Sequence, residues 1–451
     1  MKIVFHGAAQ EVTGSCYQII TNSGSQFLID CGMFQGNQEL EKINYEDFNF
    51  NPKNIQAVFL THSHLDHSGL LPKLYKQGFR GKIFCTRPTR DICKLLFEDA
   101  ANLILDKYFK TGERPIYELE DAVGCAELFE TCEYGKTNEY NSLKFKFNDA
   151  GHILGSSIIE LFIENKKIVF SGDLGNHPSP IVKAPDIIKE ANYIFIESTY
   201  GGITHEDKEV RLRKFKQAVY NVFNKESTLL IPSFALERTQ EIMYELNNMV
   251  ENGEIVPLPV FVDSPLANRI TNVFKNYENL YDKETMTIIK SGDDIFNFQG
   301  LVTTNTVDES KRINSVKGPK IVIAGSGMCN GGRITKHLKQ YIEDPKNFLV
   351  FVGYQAEGTL GRKIFDGNKK VIIEEKEFEV NLAVDAIGGY SAHADQPQII
   401  SWLSNFDKNK IEKIIVVHGE KEKGIALSDE IKKQFGLETF QPNIGDELNI
   451  N

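Results

Sequence analysis

Short apolar runs rich in β-branched and aromatic residues recur along the chain, at 26–29, 57–60, 82–84, 167–170, 193–196, 228–231, 320–323, 348–352 and 413–417. Runs of this length and composition predict strands. The opening Lys2-Ile3-Val4-Phe5 reads the same way. Between the runs lie longer stretches whose apolar positions recur three and four apart, at 89–109, 208–224, 236–251 and 396–404, and these predict helices. Strands alternating with helices indicate packed α/β layers. There is no internal repeat and no low-complexity tract.

At 451 residues the chain exceeds what one hydrophobic core usually supports, so two domains are expected. Its content of 41% hydrophobic and 25% charged residues is that of an ordinary globular protein. A formal net charge of −11 argues against a protein that coats nucleic acid through a global basic surface. It argues less against an enzyme, because bound metal ions supply concentrated local positive charge. The seven cysteines, at 16, 31, 85, 93, 125, 132 and 329, form no Cys-x-x-Cys pair. They fit small buried thiols in a reducing compartment. No apolar run approaches the roughly 20 residues of a membrane span, and no apolar signal region follows the N-terminus. A cytoplasmic protein without membrane attachment is expected.

The run at 57–60 leads into Thr61-His62-Ser63-His64-Leu65-Asp66-His67-Ser68-Gly69. Neutral imidazole and carboxylate are ligands suited to zinc. In an extended segment His62 and His64 point the same way, because side chains alternate with period two. Asp66 and His67 then turn into a helix start and can face a second ion. A polar helix-capping turn would account for Asp66 but not for three histidines.

This segment resembles the His-x-His-x-Asp-His signature of the metallo-β-lactamase-fold hydrolases. The resemblance implies further residues, one by one. His152, in Asp149-Ala150-Gly151-His152-Ile153-Leu154-Gly155-Ser156, resembles the third motif of that fold. Asp173, in Ser171-Gly172-Asp173-Leu174 after a strand, resembles the aspartate that bridges two metals. Asp30, closing the run 26–29, resembles the first motif, usually a residue behind the metal ligands, and is grouped with the catalytic residues. Glu197-Ser198-Thr199-Tyr200-Gly201, Gly389-Tyr390-Ser391-Ala392-His393-Ala394-Asp395 and His418-Gly419-Glu420 look like motifs A, B and C of the β-CASP nucleases. The resemblance covers nearly the whole chain. It is nearest to bacterial and archaeal proteins similar to the endonuclease subunit of the mRNA 3′-end cleavage and polyadenylation complex. It implies an αββα sandwich over 1–200 and 365–451, interrupted by an α/β β-CASP domain over 201–364. One metal would take His62, His64 and His152, the other Asp66, His67 and His418, with Asp173 bridging. Glu197 would orient His393 and raise its pKa, which suits a general acid that protonates the leaving oxygen. A histidine at position 418 is the form found in RNA-processing members.

Within the insert, Ala324-Gly325-Ser326-Gly327-Met328-Cys329-Asn330-Gly331-Gly332-Arg333 is a glycine-rich turn before a predicted helix. It matches neither a dinucleotide fingerprint nor a Walker A loop. Ser326, Gly327 and Arg333 are read as a backbone-phosphate cradle, the alternative being a structural turn. Arg238, in Pro232-Ser233-Phe234-Ala235-Leu236-Glu237-Arg238, and Arg362, in Gly358-Thr359-Leu360-Gly361-Arg362, are further candidates. For each of these two, a solvated helix arginine explains the residue as well. His6, His177, His205 and His337 match no ligand motif and are read as structural or surface residues.

The resulting expectation is a two-zinc endoribonuclease, with manganese as the alternative metal. A metal-bridging hydroxide would cut single-stranded RNA to leave 5′-phosphate and 3′-hydroxyl ends. A homodimer is left open. Few residues follow His418, so no large C-terminal domain like that of RNase J is expected, which favours an endonuclease over a 5′-exonuclease. Two other readings compete: an ester or thioester hydrolase on the same core, and an inactive RNA-binding scaffold.

Overall fold

The computed structural model describes residues 1–36, 38–141 and 143–450. They form two compact units, Met1–Thr204 with Ala392–Asn451, and His205–Ser391. No helix among the described residues is long and apolar enough to cross a membrane.

Among the described residues the first unit holds two seven-stranded sheets. One runs Glu447–Asn449, Lys2–Gly7, Cys16–Ile20, Gln26–Ile29, Ile55–Phe59, Lys82–Thr86, Phe129–Cys132. The other runs Thr439–Phe440, Lys413–Val417, Tyr193–Glu197, Lys166–Phe170, Ser157–Ile163, Leu143–Asp149, Thr137–Tyr140. Alternation along the strands divides their side chains between two faces. Phe27, Ile29 and Phe59 of one sheet meet Ile168, Phe170, Phe195, Ile415 and Val417 of the other in a shared core. Leu28, Val58 and Leu60 point outward and pack under Leu71, Leu74, Cys93 and Phe97. Val169, Ile194, Ile196 and Val416 do so under Ile399, Trp402 and Leu427. The result is the four-layer αββα sandwich. Each fully buried Phe or Ile contributes about 1.5–3 kcal/mol, so the apolar layers hold the polar loops at their edge.

Among the described residues the second unit carries a six-stranded sheet ordered Leu301–Thr303, Val260–Asp263, Lys320–Ala324, Thr228–Pro232, Phe348–Phe351, Ala383–Ala386. Every pairing in it is parallel. Helix Arg333–Tyr341 buries Ile334 and Leu338 with Leu230, Val322 and Leu349. Pro232 and Asp263 both pair in register with Ala324, which sets the loops after three strands side by side at the carboxyl edge. The sequence reading ends the insert at 364. The strand Ala383–Ala386 pairs with Phe348–Phe351, and the unit accordingly runs to Ser391.

Candidate metal centre

The strand Ile55–Phe59 delivers the chain to His62, and the short helix Leu65–Ser68 starts directly after His64. His62 Nε2 lies 3.1 Å from His64 Nδ1, which lies 3.2 Å from His152 Nε2. Asp173 Oδ2 is 3.4 Å from His62 Nε2 and 3.5 Å from His152 Nε2. A second group adjoins it. His67 Nε2 and His418 Nε2 are 3.0 Å apart, and Asp66 Oδ2 is 3.5 Å from His418 Nε2 and 3.9 Å from His67 Nε2. Asp173 faces this group too, with Oδ2 at 3.3 Å from His67 Nε2 and Oδ1 at 3.5 Å from His418 Nδ1. His152 comes from a loop whose Gly155 carbonyl accepts from the Thr86 and Thr89 hydroxyls, at 2.7 and 2.8 Å.

Asp173 supplies the test of whether a cation fits. It is 1% exposed, and neither carboxylate oxygen has a hydrogen-bond partner among the described residues. A buried carboxylate left without donors costs several kcal/mol unless a cation compensates it. In each group the imidazole nitrogens and a carboxylate oxygen lie close enough together to share one ion. Ligands 2.0–2.1 Å from a tetrahedral zinc stand about 3.3 Å from each other, so the donor set fits such an ion. Each of the two groups can hold one metal, with Asp173 common to both.

The electrostatics of the first donor set fit as well. Burial pushes the His62 and His152 pKa values well down and that of His64 down to about 4, which keeps these rings neutral and ready to coordinate. Burial works against charge on His67 and Asp66, yet the Asp173 and Asp30 carboxylates raise His67, while His418 and His67 hold Asp66 below the usual carboxylate range.

Asp30 acts from behind. It sits in the left-handed region at φ 58, and its Oδ2 accepts from His67 Nδ1 at 2.7 Å. The Thr61 amide donates to its Oδ1 at 2.8 Å and the Ser15 hydroxyl to its Oδ2 at 3.1 Å. This fixes the tautomer of His67 with Nε2 toward the other ligands. A side chain at Gly32 would place its Cβ 1.6 Å from the Asp66 carbonyl oxygen, so only glycine lets the two segments approach. The His152 Nδ1–H donates to the Ala392 carbonyl at 3.1 Å, and Thr199 Oγ1 lies 3.2 Å from His418 Nδ1. Sequence reasoning missed Ser15, Thr61 and Thr199; Thr61 and Thr199 lie within the motif segments, but Ser15 is far from Asp30 in the chain and carries no such signal.

Glu197 ends the strand Tyr193–Glu197 fully buried, and its Oε1 accepts from the Leu174 amide at 2.6 Å. His393 Nδ1 lies 3.2 Å from Glu197 Oε2 and 3.8 Å from Asp173 Oδ2. Burial alone would depress this imidazole, but the Glu197 and Asp173 carboxylates push its pKa up to about 9.

The expected phosphate-binding residues lie in the second unit. Ser326, Gly327 and Arg333 share one loop and helix start, with the Ile334 amide closing back on the Gly325 carbonyl at 2.9 Å. Each of the three arginines already has a carboxylate partner. Arg333 is ion-paired with Asp263 and donates to the Asn305 carbonyl at 2.9 Å. Arg238 is buried against Glu241, and Arg362 pairs with Asp366 at 2.8 Å. Helix Leu360–Phe365 abuts the loop, because the Gly361 amide donates to the Met328 carbonyl at 3.0 Å. His337, read as structural, donates to buried Asp263 at 2.7 Å.

A buried cluster of imidazoles and carboxylates at the edge of an αββα sandwich defines a metallo-hydrolase. Comparison with known proteins narrows the class. Residues 239–364 match the Beta-Casp domain, and 377–442 match the Zn-dependent metallo-hydrolase RNA specificity domain. Residues 1–207 match the family of the anti-Pycsar protein Apyc1. Ribonuclease TTHA0252 of Thermus thermophilus is 37% identical over 428 residues, covering 95% of each chain. Transcription termination factor FttA of Methanocaldococcus jannaschii is 32% identical over 463 residues, covering all of this chain and 72% of the relative. An RNase J-like protein of the same organism is 33% identical over 450 residues, covering 99% of each. A crystal structure of a protein of unknown function from Enterococcus faecalis shares the fold, with a TM-score of 0.57 at 13% identity over 100% of this chain and 99% of that one. The chain belongs to the β-CASP ribonucleases of the metallo-β-lactamase fold, in their bacterial and archaeal form.

Proposed function

We propose that this chain is a two-zinc endoribonuclease that hydrolyses phosphodiester bonds of single-stranded RNA, leaving 5′-phosphate and 3′-hydroxyl ends. The observation that carries the reading is Asp173: a buried carboxylate with no hydrogen-bond partner among the described residues, facing one donor set made by His62, His64 and His152 and another made by Asp66, His67 and His418. Zinc bound there supplies a nucleophile at neutral pH and neutralises charge on the phosphoryl oxygens.

The chain's own groups do the rest. Asp30, Thr199 and the Ala392 carbonyl hold three imidazoles in the ligating orientation. Glu197 keeps His393 protonated at neutral pH, so His393 delivers a proton to the departing 3′-oxygen. In the second unit, Ser326, Gly327 and Arg333 take backbone phosphates. Arg362 adds charge beside them, while Arg238 supports the fold from its buried pair with Glu241. A cytoplasmic location and manganese as a substitute metal belong to the same reading.

Cleavage of a covalently closed RNA circle by the zinc-loaded protein tests the endonuclease assignment. The expected product is the linear form. Circles left intact while linear RNA is degraded from its 5′ end would replace the endonuclease by a 5′-exonuclease.

A further inference from the structure

The stretch Pro232-Ser233-Phe234-Ala235 leaves the end of the strand Thr228–Pro232, and its aromatic residue has no role in the reading above. Phe234 is 43% exposed, although it follows a strand that is wholly buried. Its backbone is held firmly: the Thr239 hydroxyl donates to the Phe234 carbonyl at 2.7 Å and the Ser233 hydroxyl at 3.3 Å. The ring rests on Gly327 of the glycine-rich loop. A Cβ at Gly327 would stand 2.7 Å from two of its ring carbons. Gly327 does not occupy the left-handed region, so the backbone does not demand glycine there; the ring does. A second aromatic, Tyr354, is 57% exposed and follows Gly353, whose added Cβ would meet the same ring at 3.8 Å. The Gln355 side-chain amide ties the two loops, donating to the carbonyls of Gly327 and Tyr354 at 3.0 and 3.1 Å.

The pair of rings therefore lies at the carboxyl edge of an all-parallel sheet, where loops of neighbouring strands meet and ligands of such sheets bind. One ring sits directly on a glycine-rich loop that leads into a helix N-terminus. A loop of backbone amides beside a rigid, half-exposed ring matches two parts of a nucleotide, its phosphate and its base. Single-stranded nucleic acid is held in this way, by charge along the backbone and by bases laid on aromatic faces.

We propose that Phe234 is a stacking platform for one base of the RNA substrate, with Gly327 supporting the ring from behind. The proposal rests on the ribonuclease reading and adds a subsite to it. Every base has a π-face, so the subsite tolerates any sequence and selects for an unpaired base.

Steady-state cleavage of a short single-stranded RNA by the zinc-loaded full chain tests it, with an abasic ribose introduced at each position in turn. Phe234→Ala is expected to raise KM roughly tenfold with kcat within about twofold, and Phe234→Tyr to restore wild-type KM. One abasic position should raise the wild-type KM by a similar factor and add little in Phe234→Ala. If the wild type cleaves RNA and Phe234→Ala keeps its KM, or if the abasic penalty adds in full, the stacking platform is refuted while the ribonuclease stands. If the zinc-loaded wild type cleaves no RNA, the ribonuclease reading falls and the subsite with it.

Discussion

Asp30→Asn separates a residue that positions a ligand from one that acts on substrate. Asp30 receives the Thr61 amide at 2.8 Å on Oδ1 and His67 Nδ1–H at 2.7 Å on Oδ2. Asparagine keeps the shape but offers only one acceptor oxygen. With that oxygen turned to the Thr61 amide, the side-chain NH2 faces His67 Nδ1. The imidazole must then accept at Nδ1 and carry its proton on Nε2. That nitrogen lies 3.0 Å from His418 Nε2 and 3.3 Å from Asp173 Oδ2, and it loses the lone pair a metal needs. The opposite amide orientation sets NH2 against the Thr61 N–H and loses a buried hydrogen bond. Outer partners of this kind typically change metal affinity by 10–100-fold, about 1.4–2.7 kcal/mol. His64 and His152 make no hydrogen bond to Asp30, and His62 reaches it only through the Thr61 hydroxyl, so the His67 metal should weaken more than the other. Competition of the protein with a fluorescent zinc chelator reads the two affinities, and excess zinc should restore cleavage. Unchanged affinities, equal loss at both metals, or a cleavage defect that zinc does not rescue would refute the positioning role.

Other expectations follow from the same structure. His393→Ala should lower kcat by about 10²–10⁴-fold with zinc content unchanged, measured by cleavage and metal analysis; loss of zinc would instead make His393 a ligand. Burial opposes ionisation of Asp263, yet hydrogen bonds from His337, Ser310, Thr304 and Arg333 hold its pKa well below the usual range. Its stabilisation is therefore present above its unfolded value of 3.8 and fades as pH falls toward the folded one. Asp263→Asn should cost about 3 kcal/mol in denaturant unfolding at neutral pH, and the gap to wild type should narrow below that value; a gap that stays constant in acid would contradict it. All seven cysteines are buried, and burial pushes Cys132 and Cys329 up to about 12, so the native protein should not react with a thiol reagent within minutes at pH 8.

The chain announces some of this structure plainly and conceals the rest. Strands buried on both faces, such as Tyr193–Glu197 and Lys413–Val417, read as unbroken apolar runs. Leu143–Asp149 is fainter: Leu143, Phe145 and Phe147 alternate with Lys144 and Lys146, so no unbroken apolar run marks it. Short strands such as Val260–Asp263 lack length as a signal. The candidate ligands were legible because histidines and aspartates repeatedly follow strand ends. Their supports were not: Thr61 and Thr199 are chemically ordinary, and only folding sets them against imidazoles. Arg238 shows the opposite limit. Sequence shows the charge of Arg238 but not Glu241 one helical turn away in a buried pair.

RNA hydrolysis by this chain should depend wholly on the metal centre of the first unit. The direct measurement is cleavage of end-labelled single-stranded RNA by protein with known zinc content, before and after chelation, with the new ends identified chemically. Two zinc ions per chain are expected, with cleavage that stops on chelation and returns with zinc, and products bearing 5′-phosphate and 3′-hydroxyl groups. Cleavage that survives complete removal of metal, or products ending in a 2′,3′-cyclic phosphate, would contradict it.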